Sequence, residues 1–218
     1  MTSSHFHRLS GLGLLVGAIA FVVHIVSRSF TTAGLDASVF AKQGSWVPIN
    51  ALGAVGAALV LLGLPAMYAG VAGPTGLFGL VGVGLLAGAW MFFGVFMSLY
   101  ATLVLPWLAD RAPSLIGASA SLPTGIIVAF VVGLAAWLGG AVLFAIPFLR
   151  GRARPRWIGY LLPASALWVV VGDLVIAPSG PATNVAVNLL SNLGPVLLLV
   201  PFGYLGWRTQ ARRPTEEI

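Results

Sequence analysis

Cysteine is absent from the 218 residues, and with it go disulfides, thiolate nucleophiles and thiolate metal sites. Charge is almost absent too. Only 7% of the residues are charged, where soluble domains carry about 25%. A water-facing surface built from so few charges would self-associate. The familiar catalytic patterns are also missing. No glycine-rich loop ends in the lysine a phosphate site needs, no His-Glu-x-x-His pattern occurs, and no carboxylates pair at helical spacing. His24 is the one histidine inside an apolar run, which argues against a haem held by two histidines. His5 and His7 lie in the N-terminal tail.

What the chain does have is apolar length. Hydrophobic residues make up 59% and the mean hydropathy is +1.01. A membrane span takes about 20 mostly apolar residues. Six runs qualify: 9–27, 46–69, 76–107, 123–149, 157–177 and 184–207. Each must be helical, because lipid offers no partner to a free backbone amide. The expectation is an all-α polytopic bundle of six transmembrane helices, forming a single domain over 1–218. The first run is longer than a signal-peptide core and lacks a close cleavage site, so it reads as a retained helix. The third is long enough to require tilt or emergence from the bilayer.

Net charge is +6, but the basic residues sit at helix ends, where lipid headgroups rather than nucleic acid await them. With the N-terminus inside, the inner segments hold Arg8, Arg150, Arg152, Arg154, Arg156, Arg208, Arg212 and Arg213. The outer ones hold Arg28, Lys42 and Arg111. Both termini are therefore expected in the cytoplasm of a bacterial cell with this inner-membrane protein. Trp46, Trp107, Trp157 and Trp207 fall at the expected interfaces. Gly13 with Gly17, and Gly84 with Gly88, have the spacing of close helix packing. Gly76, Gly79 and Gly82 recur every third residue, as a smooth groove would require.

Helices that travel inward end alike, at Pro65, Pro147 and Pro201, and those that travel outward begin alike, at Gly11, Gly79 and Gly159. This raises the possibility of three related hairpins, paired one-two, three-four and five-six. The alternative is that proline is simply common in a last helical turn.

The few polar residues within the spans are each a functional hypothesis, since burying them in lipid is costly. His24 and Arg28 lie four apart on helix one. Asn50 opens helix two, Ser98, Tyr100 and Thr102 occupy helix three, and Asp173 lies near the end of helix five. Asn184, Asn188 and Asn192 form a stripe on helix six, followed by Pro195. All fall in the outer half of the membrane. They imply a polar pocket open to the outside, which the loop from Ala109 to Leu122 is placed to cover. The competing reading is structural: Asp173 pairs with Arg28, and the asparagines join helices.

At Trp46 to Pro48, Leu61 to Tyr68, Leu105 to Ala109 and Arg154 to Leu162 the chain resembles a broad group of six-helix bacterial membrane proteins common in actinobacteria. The resemblance implies an all-helical inner-membrane protein and carries no activity, cofactor or residue role. The residues point first to a small binding or regulatory membrane protein with membrane lipids and a small amphiphile as partners. They implicate no cofactor, metal or nucleic acid. The alternatives are a small-solute permease and an intramembrane enzyme using Asp173 with His24 on a lipid or isoprenoid.

Overall fold

The computed structural model describes residues 3–69, 71–116, 123–153, 155–172 and 184–211. Among these there is no strand. The long helices are α1 (Ser3–Thr32), α2 (Trp46–Ala69), α3 (Thr75–Arg111), α4 (Thr124–Leu149), α5 (Trp157–Val171), α6 (Val185–Ser191) and α7 (Leu193–Ala211). Asp36 starts a one-turn helix, Ala37–Phe40, in the loop after α1. Its side chain accepts a hydrogen bond from the Ser38 amide at 2.9 Å, the usual device for an exposed helix start.

Each long helix packs against its chain neighbour, and α7 returns to α1. The result is a ring in sequence order whose tightest pairs include α1 with α2 and α3 with α4. Four helices have the length and apolarity of a membrane span, and α6 with α7 makes a fifth if the bent pair counts as one. The expected six is thus not reached on length alone, because α5 is only 15 residues within the described chain. The long apolar helices nonetheless make this a membrane-spanning bundle.

Several boundaries differ from the sequence reading. The expected sixth helix is broken at Asn192, where α6 and α7 meet at 53°. Pro195 explains the position of the break, since it has no amide to offer the Ser191 carbonyl. α3 is longer than expected, at 37 residues. That is about 55 Å of helix against a hydrocarbon core of about 30 Å. It starts beside a kink at Gly76, whose φ of 54° and ψ of −147° favour glycine. Within it, Trp90–Phe96 and Tyr100–Val104 are π-helical.

Helix approach rests on glycines other than most of those expected. A Cβ on Gly17 would lie 2.7 Å from the Gly56 carbonyl of α2. One on Gly82 would lie 2.6 Å from the Phe144 amide of α4. Gly84 and Gly88 face open space, as does Gly76, and Gly79 abuts only its own Thr75. The pair Gly84 and Gly88 is therefore not a packing feature, and of the three groove glycines only Gly82 meets α4. Trp46 is also corrected: it is fully buried, so it is no lipid-facing belt residue, whereas Trp107, Trp157 and Trp207 are exposed.

The half of the bundle holding the α2–α3 and α4–α5 loops is solidly packed. Leu14, Leu86, Phe144, Phe148, Leu198 and Phe202 are fully or almost fully buried there. Its few hydroxyls bond to backbone, as Ser10 does to the Leu62 carbonyl at 2.6 Å and Ser165 to the Leu162 carbonyl at 2.7 Å. The other half is hollow.

Candidate functional site

The hollow is a cavity of about 660 Å³ enclosed by α1, α3, α4, α5, α6 and α7. That lies within the range of small-molecule sites, about 300–1,000 Å³. Its depths are aromatic. Trp90 is at the centre, edge-on to Phe21 at 4.7 Å and tilted against Trp137 at 5.5 Å. Phe93 meets Trp137 at 5.8 Å and Phe130 at 5.5 Å. The indole N–H groups of Trp90 and Trp137 are buried and have no acceptor among the described residues.

The π-helical segment builds this floor. A π turn holds more residues than an α turn, so it widens the helix and shifts the faces of its side chains. Trp90, Phe93, Gly94, Met97 and Ser98 all line the cavity from this stretch of α3. Such widened turns are rare and occur frequently at functional sites.

Above the aromatics the lining gains polar groups, set among Leu35, Phe40, Ile116 and Val187. His24, Arg28, Ser29, Thr32 and Asp36 come from α1 and the turn after it, Ser98 from α3, and Asn188, Ser191 and Asn192 from α6 and the break. The His24 ring bonds through Nδ1 to the Ile49 carbonyl at 2.8 Å. A carbonyl only accepts, so Nδ1 carries the proton and Nε2 is left as an acceptor. The ring lies against Gly53, where a Cβ would come within 2.7 Å of it.

Arg28 lines the cavity and its side chain is exposed there. Its guanidinium lies 5.6 Å from the centre of the buried Trp46 ring, a cation–π contact. Among the described residues no carboxylate lies within ion-pair distance of it; the ion pair seen is Lys42 with Asp110 at 3.5 Å, on the surface. Asp36 shares the cavity, but its carboxylate is engaged by the Ser38 amide and by the Ser38 hydroxyl at 2.7 Å.

Of the eight residues singled out from sequence, the structure brings His24, Arg28, Asn188 and Asn192 onto one cavity wall. Asn188 donates to the Ser29 carbonyl at 3.1 Å and to the Thr32 hydroxyl at 3.0 Å, joining α6 to α1. Asn192 caps the end of α6 by bonding the Asn188 carbonyl at 2.8 Å. Asn184 caps its start, accepting from the Val187 amide at 2.9 Å, and does not line the cavity. Asn50 lies outside it as well, donating to the Trp46 carbonyl at 2.8 Å, and its buried Oδ1 has no partner among the described residues. Tyr100 is half-buried on α3 away from the lining. Asp173 falls outside the described residues, so its expected pairing with Arg28 does too.

Sequence reasoning missed Asp36 and the aromatic floor. A signal for the floor was present: Trp90 and Trp137 stand in mid-span, far from the interfaces where membrane tryptophans collect. The covering loop contributes Ile116 to the lining, although its first residues, to Arg111, belong to α3. Residues 117–122 lie outside the described chain. No cluster of three metal-ligating side chains occurs among the described residues.

Comparison with protein-family models, with curated proteins and with solved structures gave no match. The site is therefore read from its own chemistry.

Proposed function

We propose that this chain is a multi-pass bacterial inner-membrane protein, with both termini cytoplasmic, that binds a small amphiphile or lipid in the cavity between its helices. The observation that carries the reading is the cavity's division into an aromatic floor and a polar upper wall around Arg28. Such a surface complements a molecule with an apolar body and a polar end. The arginine count across the loops supports the orientation, which places the cavity in the outer half of the bilayer. The resemblance to six-helix bacterial membrane proteins fits the same picture.

The test is native mass spectrometry of the protein released from mild detergent, wild type beside Val187→Trp. Val187 lines the cavity from α6 and is half-buried, so an indole there fills space without entering the packed core. A bound mass in the wild type, absent from an equally helical and monodisperse variant, is the expected result. A bound mass unaffected by the indole, or none in either protein, counts against the reading.

Transport is a second reading, favoured by the break between α6 and α7. Broken helices often form substrate sites near the membrane midplane in transporters. The cavity floor also lies near mid-length of α1 and α4, at Phe21 and Trp137. Against it, the other half of the bundle is closed by fully buried side chains. Release of a cavity ligand from loaded proteoliposomes, faster with protein than without, would favour transport over binding alone. An intramembrane enzyme has less support, since the cavity holds one carboxylate, Asp36, among the described residues.

A further inference from the structure

The proposed binding reading leaves the ligand's charge and direction open, and the geometry bears on both. Arg28 is a permanent cation with five donors in a planar fork. In a membrane interior such a group is costly unless paired. Here its described neighbours provide only the face of Trp46 and no oxyanion. Ser98 lies on the same wall, and its hydroxyl can donate; His24 adds no donor, because its N–H is spent on the Ile49 carbonyl. Asp36 also lines the wall and keeps its negative charge, with its carboxylate held at the turn by the Ser38 amide and hydroxyl.

The direction follows from the helix rise. Phe21 lies seven residues before Arg28 on α1, about 10 Å deeper along the axis at about 1.5 Å per residue. Between those levels the wall changes from guanidinium, hydroxyl and amide groups to Phe21, Trp90, Phe93, Phe130 and Trp137.

Resting on the binding reading above, we infer that the cavity takes an anionic single-chain amphiphile, its oxyanion head on Arg28 and its chain running down onto the aromatic floor. Carboxylates and phosphate monoesters share this chemistry. Both match the guanidinium fork, and a head of either kind would stand at ion-pair distance from Arg28, where no described carboxylate lies.

The experiment uses the full chain in discs of zwitterionic lipid and four ten-carbon probes: decanoate, decyl phosphate, decanol and decyltrimethylammonium. Binding is read by native mass spectrometry and by the shift in thermal unfolding. One or both anions are expected to bind at least about tenfold more tightly than decanol, and the cation not at all. Arg28→Gln should remove that preference and Arg28→Lys should retain part of it. Whichever anion binds better identifies the source as a fatty-acid type or a lipid-phosphate type. Equal binding of all four heads overturns the anionic inference while leaving an amphiphile site intact. Binding of none overturns the reading beneath it. A third measurement needs no variant: a decanoate with a diazirine at its last carbon should crosslink to the peptides of Phe21, Phe93 or Phe130. Crosslinks at 28–37 or 187–192 instead would overturn the assigned direction.

Discussion

At the scale of single residues, polar groups that look alike in sequence have different jobs. The three asparagines at four-residue spacing read as one stripe. The helix ends in their midst, so Asn184 and Asn192 satisfy backbone groups at the two termini of α6 and only Asn188 reaches another helix. Asn188→Ala should lower stability by about 0.6 kcal/mol and by no more than about 1.7 kcal/mol, the range found for hydrogen bonds between membrane helices. Unfolding in mixed micelles would measure it; a loss of several kcal/mol would mean that Asn188 holds more than the α6–α1 contact. Gly53 is more critical than its type suggests, because the His24 ring occupies the space of its missing side chain. Gly53→Ala should cost about 1–3 kcal/mol by overpacking and displace His24 from the Ile49 carbonyl. The histidine ring resonances should shift accordingly, and an unshifted ring would contradict the contact.

At the scale of elements, α3 decides the site. Its π-helical turns rotate Trp90, Phe93 and Met97 to the interior, where a regular helix would distribute them differently. A π turn amounts to one residue more than the α-helical ladder needs. Deleting Val95 should therefore let Trp90–Phe96 relax to α-helix with the flanking helix still in register. The expected outcome is a folded protein, unchanged or raised in thermal midpoint, that no longer retains the cavity ligand. Helix approach makes an independent prediction. Gly82→Ile inserts a side chain where α4 backbone already lies, whereas Gly84→Ile points into open space. The first should lose monodispersity on mild heating and the second should behave as wild type, as size-exclusion profiles would report. Both glycines look the same in sequence, since helical spacing alone leaves the neighbouring helix's direction open.

At the scale of the whole molecule, the ring in sequence order places its hollow half toward the α1–α2 loop. In the orientation proposed above, that side faces out of the cell. The cysteine-free chain makes this directly testable. A single cysteine at Ser45, exposed in the α1–α2 loop, should react with a membrane-impermeant maleimide applied to intact spheroplasts. One at Arg152, exposed in the α4–α5 loop, should react only after permeabilisation. The reverse pattern would invert the topology and turn the cavity toward the cytoplasm.

The sequence by itself determined the class of the protein and much of its outline. Apolar runs of span length with few charges leave no soluble alternative, and lipid forces such runs into helices. Hence α2 begins and ends where its apolar run does, and α4 within one residue of it. It also put His24, Arg28, Asn188 and Asn192 on the list of groups too polar for lipid, and these four share the cavity wall. Only the tertiary structure decided which glycines meet a neighbour, where the last helix breaks, and that Asn50, Tyr100 and Asn184 stay off the wall. It alone assembled the aromatic floor from α1, α3 and α4. The reason is that lipid-facing and helix-facing surfaces in a membrane are equally apolar. Hydrophobic pattern then carries no record of which side of a helix is buried, and packing geometry must settle it.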